Sequence, residues 1–488
     1  MDILLINTPF LPLNYSEVER LPLARQERTS VSPPLGICYI SSYLISKGYN
    51  VSLLDLDVEL YYLLKTTGSY NILDIAHLIR QQHVDIIGIS CFNSARHKQA
   101  HELARLSKAM GSTVVMGGNY PTNSPERVLK DKSVDYVVLG EGEHKFYELL
   151  QALEEGIGLE EISGIGYRET IRQRSGIDYI KNLDILPFPD YANLDIEKYY
   201  KIGMSQSING NNRFFTLFTS RGCPNKCIYC GAHNTFGYKN RLRSVDNVIR
   251  EVDWLIDNYG AEEILIQDDN FTADRVRSDE ILDKLAERKI HWSIPNGLEV
   301  NSIDRSFLEK AKASGCTDLS IAVESGSPKV LKMINKKMDL ERAKETIRSM
   351  RELGIYSKVF FMVGFPGETK EDIQLTLDLA SNLKADWSQF SIVNPLPGTE
   401  LAKNREFNFE NIGYSNANIK TDDFTPEYIE GVVSYANLKT NFLENPNLNG
   451  GNINWAIRDF KRISDRYPEH KIARESLGRA LEKNLYNR

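Results

Sequence analysis

The sequence has no apolar run of the ~18 residues that a membrane-spanning helix needs. Its first residues, Met1-Asp2-Ile3-Leu4-Leu5-Ile6-Asn7, lack the basic stretch and cleavage site of a secretory leader and read as a buried strand. Positive charge is not in excess. The formal net charge is −7, which argues against a nucleic-acid partner, because such a footprint should be basic. Cysteine is scarce, six in 488 residues, so a disulfide framework is not expected. These absences together predict a cytoplasmic protein whose thiols stay reduced. The chain is too long for one hydrophobic core, and two or three domains are expected.

Three of the six cysteines nevertheless fall inside eight residues, in Arg221-Gly222-Cys223-Pro224-Asn225-Lys226-Cys227-Ile228-Tyr229-Cys230. Thiolates at this spacing can share one 4Fe-4S cluster, which normally takes a cysteine on each iron. Three ligands leave one iron open, and an open metal position marks a catalytic site. Half a zinc site completed by His233 is the competing reading. Cys38, Cys91 and Cys316 are scattered in apolar surroundings and read as core residues.

Upstream, strand-like runs alternate with amphipathic helical ones. Strands are predicted at Ile3–Ile6, Val51–Leu54, Ile86–Ser90, Thr113–Met116 and Val134–Leu139. Helices are predicted at Leu35–Lys47, Ile72–Gln82 and Ala95–Met110. This alternation implies an α/β fold, a Rossmann-like doubly wound parallel sheet. Small and polar residues follow the strands: Asn7-Thr8-Pro9, Ser90-Cys91-Phe92-Asn93, Gly117-Gly118-Asn119-Tyr120 and Gly140-Glu141-Gly142-Glu143. Open α/β sheets bind ligands at the carboxyl ends of their strands. Thr8, Pro9, Ser90, Asn93, Gly117, Gly118, Asn119, Glu141 and Gly142 are therefore candidate cofactor-binding residues. Ordinary tight turns are the alternative.

From about 215 to 395 the chain repeats a strand–helix unit six times. Strands are predicted at Phe215–Thr219, Glu263–Ile266, Trp292–Ile294, Leu319–Val323, Lys358–Val363 and Gln389–Val393. A partial (β/α)6 TIM-type barrel is expected, with its chemistry in the loops after the strands. The cysteine motif occupies the first of those loops. Gln267-Asp268-Asp269-Asn270-Phe271, Glu324-Ser325-Gly326-Ser327 and Gly364-Phe365-Pro366-Gly367-Glu368 follow later strands.

These motifs resemble those of the cobalamin-dependent radical S-adenosylmethionine enzymes. The resemblance rests on the cysteine motif, on Ser32-Pro33-Pro34-Leu35-Gly36, Gly117-Gly118 and Ser124-Pro125-Glu126, and on Gly140–Glu143. It implies residues 1–150 as a cobalamin-binding domain, 151–210 as a linker, 211–400 as the radical barrel and 401–488 as a small helical C-terminal region. It implies Cys223, Cys227 and Cys230 as cluster ligands, with the open iron binding S-adenosylmethionine. Glu324, Ser325, Gly364 and Gly367 would hold that cofactor, with Tyr229 near its adenine. Asp268 and Asp269 would contact the cofactor or the substrate. The chain departs from the family in three places. No histidine precedes His77, so a cobalt-ligating histidine of the familiar kind is not expected; Asn119-Tyr120 stand where the family usually places a histidine after the Gly-Gly pair; and Glu299 stands where many relatives carry arginine.

The resemblance further implies hydrogen abstraction by a 5′-deoxyadenosyl radical, then C-methylation of an sp3 carbon in a small-molecule biosynthetic intermediate. Its partners would be that substrate and an electron donor such as flavodoxin or ferredoxin. Radical rearrangement, cyclisation or oxidation without methyl transfer is the alternative, and a non-catalytic cobalamin or redox sensor is a third reading. Near the C-terminus, polar Ala402–Ile419 reads as a linker or lid. Phe424–Phe442, Trp455–Tyr467 and Ile472–Lys483 read as helices, the last two as a hairpin capping the barrel.

Overall fold

The computed structural model describes residues 1–488 apart from 21–30, 83, 161, 169–176, 203–207, 209–212, 404–406, 410–411, 414–415 and 487–488. Asn404 and Asn411 of the expected lid, and parts of the 151–210 linker, lie outside the described residues. The chain divides into two compact units. The first comprises Met1–Pro224, Cys230–Ala261 and Leu396–Lys403, and the second Asn225–Tyr229, Glu262–Pro395 and Asn404–Arg488.

The first unit is built on β1 (Asp2–Asn7), β2 (Asn50–Asp55), β3 (Ile86–Ser90), β4 (Thr113–Gly117), β5 (Tyr136–Val138) and β6 (Ile165–Gly166). They pair in the order β2-β1-β3-β4-β5-β6. All are parallel except β6, which runs antiparallel to β5. The order reverses direction at β1, with β2 on one side and β3 on the other. That switch point opens a crevice between the loops after β1 and β3.

One face of the sheet buries Ile3, Leu5, Val51, Ile86, Val115 and Val138 against Ile37, Leu44, Phe146 and Leu149 of helices Leu35–Ser46 and Gly142–Glu155. Gly88 belongs here because a Cβ would stand 2.7 Å from Leu5 Cδ2 and 3.1 Å from Phe146 Cε1. Successive strand residues point to opposite faces, so Leu4, Ile6, Ile87, Ile89, Val114 and Met116 form the other layer, and all are buried. A helix over Leu56–Thr67 joins the expected set, begun by the Asp55 side chain and closed by Gly68 in the left-handed region.

The first unit also contains β7 (Phe214–Leu217) and a small antiparallel ladder of β8 (Ser220–Arg221) with β9 (Arg241–Leu242). The second unit carries β10 (Glu263–Ile266), β11 (His291–Leu298), β12 (Cys316–Glu324), β13 (Tyr356–Val363) and β14 (Trp387–Ile392), all parallel and paired in chain order. Helices Arg275–Arg288, Arg305–Ala313, Leu340–Leu353 and Lys370–Leu383 alternate with them. Each starts at an Asp or Thr whose side chain accepts from the first turn, namely Asp274, Asp304, Asp339 and Thr369.

The edge strand β14 is covered by helix Pro426–Leu438 and a π-helical turn, Lys439–Leu443. Asn437 Oδ1 accepts from Phe390 N at 3.1 Å, and its Nδ2 donates to Phe390 O at 3.2 Å. Asn441 repeats the pattern on Ser388, at 2.8 and 2.7 Å. Two side-chain amides thus satisfy backbone groups that a further strand would have used. Helices Ile453–Arg466 and Lys471–Tyr486 then pack around Phe442, Leu448, Phe460 and Trp387, which seats the hairpin on the barrel strands as a cap.

Candidate cofactor sites

The four loops at the carboxyl edge of the first sheet form a hydrogen-bonded row. Thr8 N donates to Ser90 O at 3.2 Å, Cys91 N to Gly117 O at 2.8 Å, Tyr120 N to Cys91 O at 3.0 Å and Gly140 N to Thr122 Oγ1 at 2.9 Å. Gly118 sits at φ 105°, and a Cβ there would lie 2.7 Å from Cys91 O, so no side chain fits. The Thr8 hydroxyl is fully buried and makes no hydrogen bond. Pro9 beside it is buried. A glycine cradle and an orphan hydroxyl along a crevice fit a large flat cofactor such as cobalamin.

The other expected residues of this edge divide by what their side chains do. Asn93 accepts from Ala95 N at 2.8 Å and starts a helical turn, and Ser90 is half-buried. Asn119 Oδ1 accepts from the Thr235 hydroxyl. Asn123 Oδ1 accepts from Asn234 Nδ2 at 2.6 Å. Gly142 admits the Ile40 side chain, which would stand 2.7 Å from a Cβ. Glu141 is buried, and its carboxylate accepts from Arg221 Nη1 at 3.0 Å, Arg241 Nη1 at 2.7 Å and Ile180 N at 2.7 Å. Arg221 also reaches Glu143 Oε1 at 2.6 Å. Burial opposes the charge on Arg221, but Glu143 and Glu141 outweigh it and hold its pKa above the ordinary guanidinium value.

The unit boundary passes through the cysteine motif. In the first unit, Gly222 adopts φ 89°, and a Cβ there would lie 2.5 Å from Lys239 O. Cys223 N donates to Gly237 O at 3.3 Å. The β8–β9 ladder and this glycine pinch the neck of the loop. In the second unit, Asn225 Nδ2 donates to Glu299 Oε2 at 3.0 Å and Ile228 N to Ile334 O at 3.2 Å. Glu299, the departure from the family, therefore fastens the cysteine loop to the end of β11.

Cys223, Cys227 and Cys230 are thiols rather than disulfides, with Cys227 buried. Among the described residues no three His, Cys, Asp or Glu side chains gather around one metal ion. A cubane is met at separate corners, one thiolate per iron, so its ligands need not close on a single point. Three thiols on one pinned loop are thus a donor set that suits a 4Fe-4S cluster.

Beside Cys227 the second unit builds a charged pocket. Glu324, at the end of β12, is buried and takes φ 71°, a left-handed backbone that costs strain in a residue other than glycine. Tyr229 Oη donates to Glu324 Oε1 at 2.9 Å, and Lys336 Nζ lies 3.9 Å from the same oxygen. Burial raises the Glu324 carboxyl above its usual value, against the pull of Lys336 and Tyr229. Burial likewise raises the Cys227 thiol, opposed by the same two neighbours. The Tyr229 ring lies 5.8 Å from that of Phe365. An amino-acid cofactor brings an ammonium and a carboxylate, and this pocket offers the complementary pair.

The remaining barrel residues follow β10, β12 and β13. Gly364 and Gly367 both have positive φ, 102° and 90°, and their loop wraps the buried Glu368 carboxylate, which accepts from Gly364 N at 2.7 Å and Phe365 N at 3.0 Å. The Ser325 hydroxyl is buried in contact with Thr376 Oγ1 at 3.1 Å and Ser327 N at 3.1 Å, so it shapes the turn. Asp268 is buried and Asp269 half-buried just after β10. Lys336 carries no signal in the sequence that separates it from the lysines around it, and Glu299 shows there only as a departure from the family.

Residues 23–150 match the B12 binding domain and residues 217–380 the Radical SAM superfamily. An uncharacterised methyltransferase of Pyrococcus horikoshii is 32% identical over 377 residues, covering 76% of this chain and 78% of the relative. The cytidylyl-2-hydroxyethylphosphonate methyltransferase of Streptomyces wedmorensis is 31% identical over 422 residues, covering 78% and 79%. The fold is similar to that of the radical S-adenosylmethionine methyltransferase TsrM from Kitasatospora setae, solved with cobalamin and a 4Fe-4S cluster. The TM-score is 0.63 at 18% identity, over 82% of this chain and 73% of that one. Among the described residues no helix is long and apolar enough to cross a membrane.

Proposed function

This chain belongs to the cobalamin-dependent radical S-adenosylmethionine enzymes, and from that membership we propose that it methylates an unactivated sp3 carbon of a small-molecule biosynthetic intermediate. The observation that carries the reading is the presence, in one chain, of a glycine-lined crevice at a B12-type sheet edge and the Glu324–Lys336 pair beside Cys227. The likeness to a relative named for methylating a cytidylyl-phosphonate supports a soluble, polar substrate class.

The bound cofactors would supply radical hydrogen abstraction and a transferable methyl group; the protein's part is binding, orientation and exclusion of water. Cys223, Cys227 and Cys230 would hold the cluster. Glu324 would receive the cofactor's ammonium and Lys336 its carboxylate, fixing the amino-acid end beside the loop. Tyr229 and Phe365 would flank the adenine, and the positive-φ glycines Gly364 and Gly367 would let backbone approach the sugar. Thr8, Gly117 and Gly118 would line the cobalamin crevice, with Asn119 and Glu141 bracing its rim. Asp268 and Asp269 are assigned to the cofactor or substrate side of β10.

The test is mass analysis of products formed by reconstituted enzyme with deuteromethyl-labelled S-adenosylmethionine, hydroxocobalamin, a reductant and a panel of nucleotidyl-phosphonate and related intermediates. Gain of one labelled methyl group is expected. Release of 5′-deoxyadenosine with substrate consumed but no methyl gained would overturn methyl transfer in favour of cyclisation, rearrangement or oxidation. Failure to cleave S-adenosylmethionine at all would favour a sensor.

A further inference from the structure

The proposed function, on which this inference rests, needs electrons delivered one at a time from outside the chain. Residues 328–338, Pro328-Lys329-Val330-Leu331-Lys332-Met333-Ile334-Asn335-Lys336-Lys337-Met338, hold four lysines and no acidic residue in a chain of net charge −7. The stretch begins as helix Pro328–Met333 and continues as the loop leading to helix Leu340–Leu353. It grips the cysteine loop on both sides of Cys227. Ile334 O accepts from Ile228 N at 3.2 Å, and Asn335 Nδ2 donates to Lys226 O at 2.8 Å.

The four lysines differ in what they face. Lys336 is turned inward to Glu324 and is nearly buried. Lys329 is paired with Asp372 at 2.7 Å. Lys332 and Lys337 are exposed and have no ion-pair partner among the described residues. Lys226, in the cysteine loop itself, is also exposed. The nearest acid in sequence, Asp339, is spent on the next helix, its Oδ1 accepting from Glu341 N at 3.0 Å and Arg342 N at 3.1 Å. Exposed positive charge therefore flanks the two residues, Ile334 and Asn335, that bond the backbone on either side of Cys227.

We propose that this face, centred on Lys332 and Lys337 with Lys226 at its edge, docks an acidic one-electron carrier protein. The carrier loses one electron and the cluster at Cys227 gains it; no bond forms or breaks. Charge complementarity names the partner, because a basic patch on an otherwise acidic chain attracts an acidic protein there and repels it elsewhere. Such patches act on encounter rate and orientation rather than on the strength of the final contact. Ile334 and Asn335, which bond the backbone on either side of Cys227, lie between Lys332 and Lys337 in the chain.

The experiment compares the full chain, reconstituted with its cluster, with K332E/K337E and K332R/K337R. Cluster reduction is followed by absorbance and electron paramagnetic resonance, using either a reduced acidic ferredoxin or photoreduced deazaflavin, a small reductant. At low ionic strength the ferredoxin rate constant should fall about tenfold or more in K332E/K337E and be kept in K332R/K337R. The gap should close in high salt. Deazaflavin should reduce all three equally. Equal ferredoxin rates in wild type and K332E/K337E at low salt, or an equal loss with deazaflavin, would overturn the docking face. A wild-type chain with no cluster reducible by deazaflavin would overturn the underlying chemistry as well, and that control reads it separately.

Discussion

Arg221 and Glu141, eighty residues apart, form a buried ion pair at 3.0 Å, with Arg221 two positions before Cys223 and Glu141 on the loop after β5. The neck of the cysteine loop and the rim of the expected cobalamin crevice are thus parts of one network, completed by Arg241 and Glu143.

Removing the central carboxylate should be severe. Glu141→Ala leaves two buried guanidiniums short of an acceptor, and breaking a buried pair from one side costs about 3–5 kcal/mol. We expect a lower urea midpoint and less iron retained per chain after reconstitution. An unchanged midpoint would mean that the network adds nothing to the fold.

Two glycines separate backbone strain from crowding. Gly48 and Gly222 have nearly equal φ, 92° and 89°, but a Cβ on Gly48 meets nothing within 4 Å whereas one on Gly222 meets backbone at 2.5 Å. Gly48→Ala should cost about 1–2 kcal/mol, the strain of the left-handed region alone. Gly222→Ala should cost more and should also lower cluster content, because the neck must open. Equal losses in the two variants would contradict this.

Glu324→Gln and Lys336→Met should each weaken S-adenosylmethionine binding, measured by equilibrium dialysis on the reconstituted enzyme, by about tenfold or more, since charged hydrogen bonds contribute about 1.5–3 kcal/mol. Iron content should hold in Glu324→Gln. Lys336→Arg should retain most of the affinity.

Glu368 predicts a pH effect on stability. Burial pushes its carboxyl from 4.5 up to about 7, against the two N–H groups that donate to it. The native chain then keeps this proton until about pH 7, while the unfolded chain releases it near 4.5. Between those values the native state binds more protons, so this group's contribution falls as pH rises, by about 3 kcal/mol in all. Glu368→Gln keeps an acceptor for Gly364 N and Phe365 N and removes the titration. Its urea midpoint should gain on the wild type as pH rises from 5 to 7.5.

Much of this arrangement was legible in the sequence because it is local. The cysteine spacing, the strand–helix alternation and the glycines after the strands each occupy a few consecutive residues. The barrel strands lie within a few residues of their expected places, and the C-terminal hairpin caps the barrel as read. What escaped depends on distant partners. Nothing local in the sequence shows that Glu141 pairs with Arg221 and Arg241. Lys336 is indistinguishable from Lys337 until one turns inward. The β8–β9 ladder has two residues per strand, too few for any periodicity to register. The helix Leu56–Thr67 carried its signals, Asp55 before and Gly68 after, but its apolar residues continue those of β2 and blur the start.

The amides of Asn437 and Asn441 set a rule about length. Four helical residues advance about 6 Å, and two strand residues advance about 6.6 Å, so the spacing from Asn437 to Asn441 matches that from Phe390 back to Ser388. Helix and edge strand run in opposite directions and mesh like a vernier at two marks. One inserted or deleted residue between the two asparagines would turn an amide by roughly 100° away from the strand. The segment Asn437–Asn441 should therefore accept no change in its number of residues, and Lys439 should be the intervening position that best accepts substitution, because Leu438 packs on the core and Thr440 is buried.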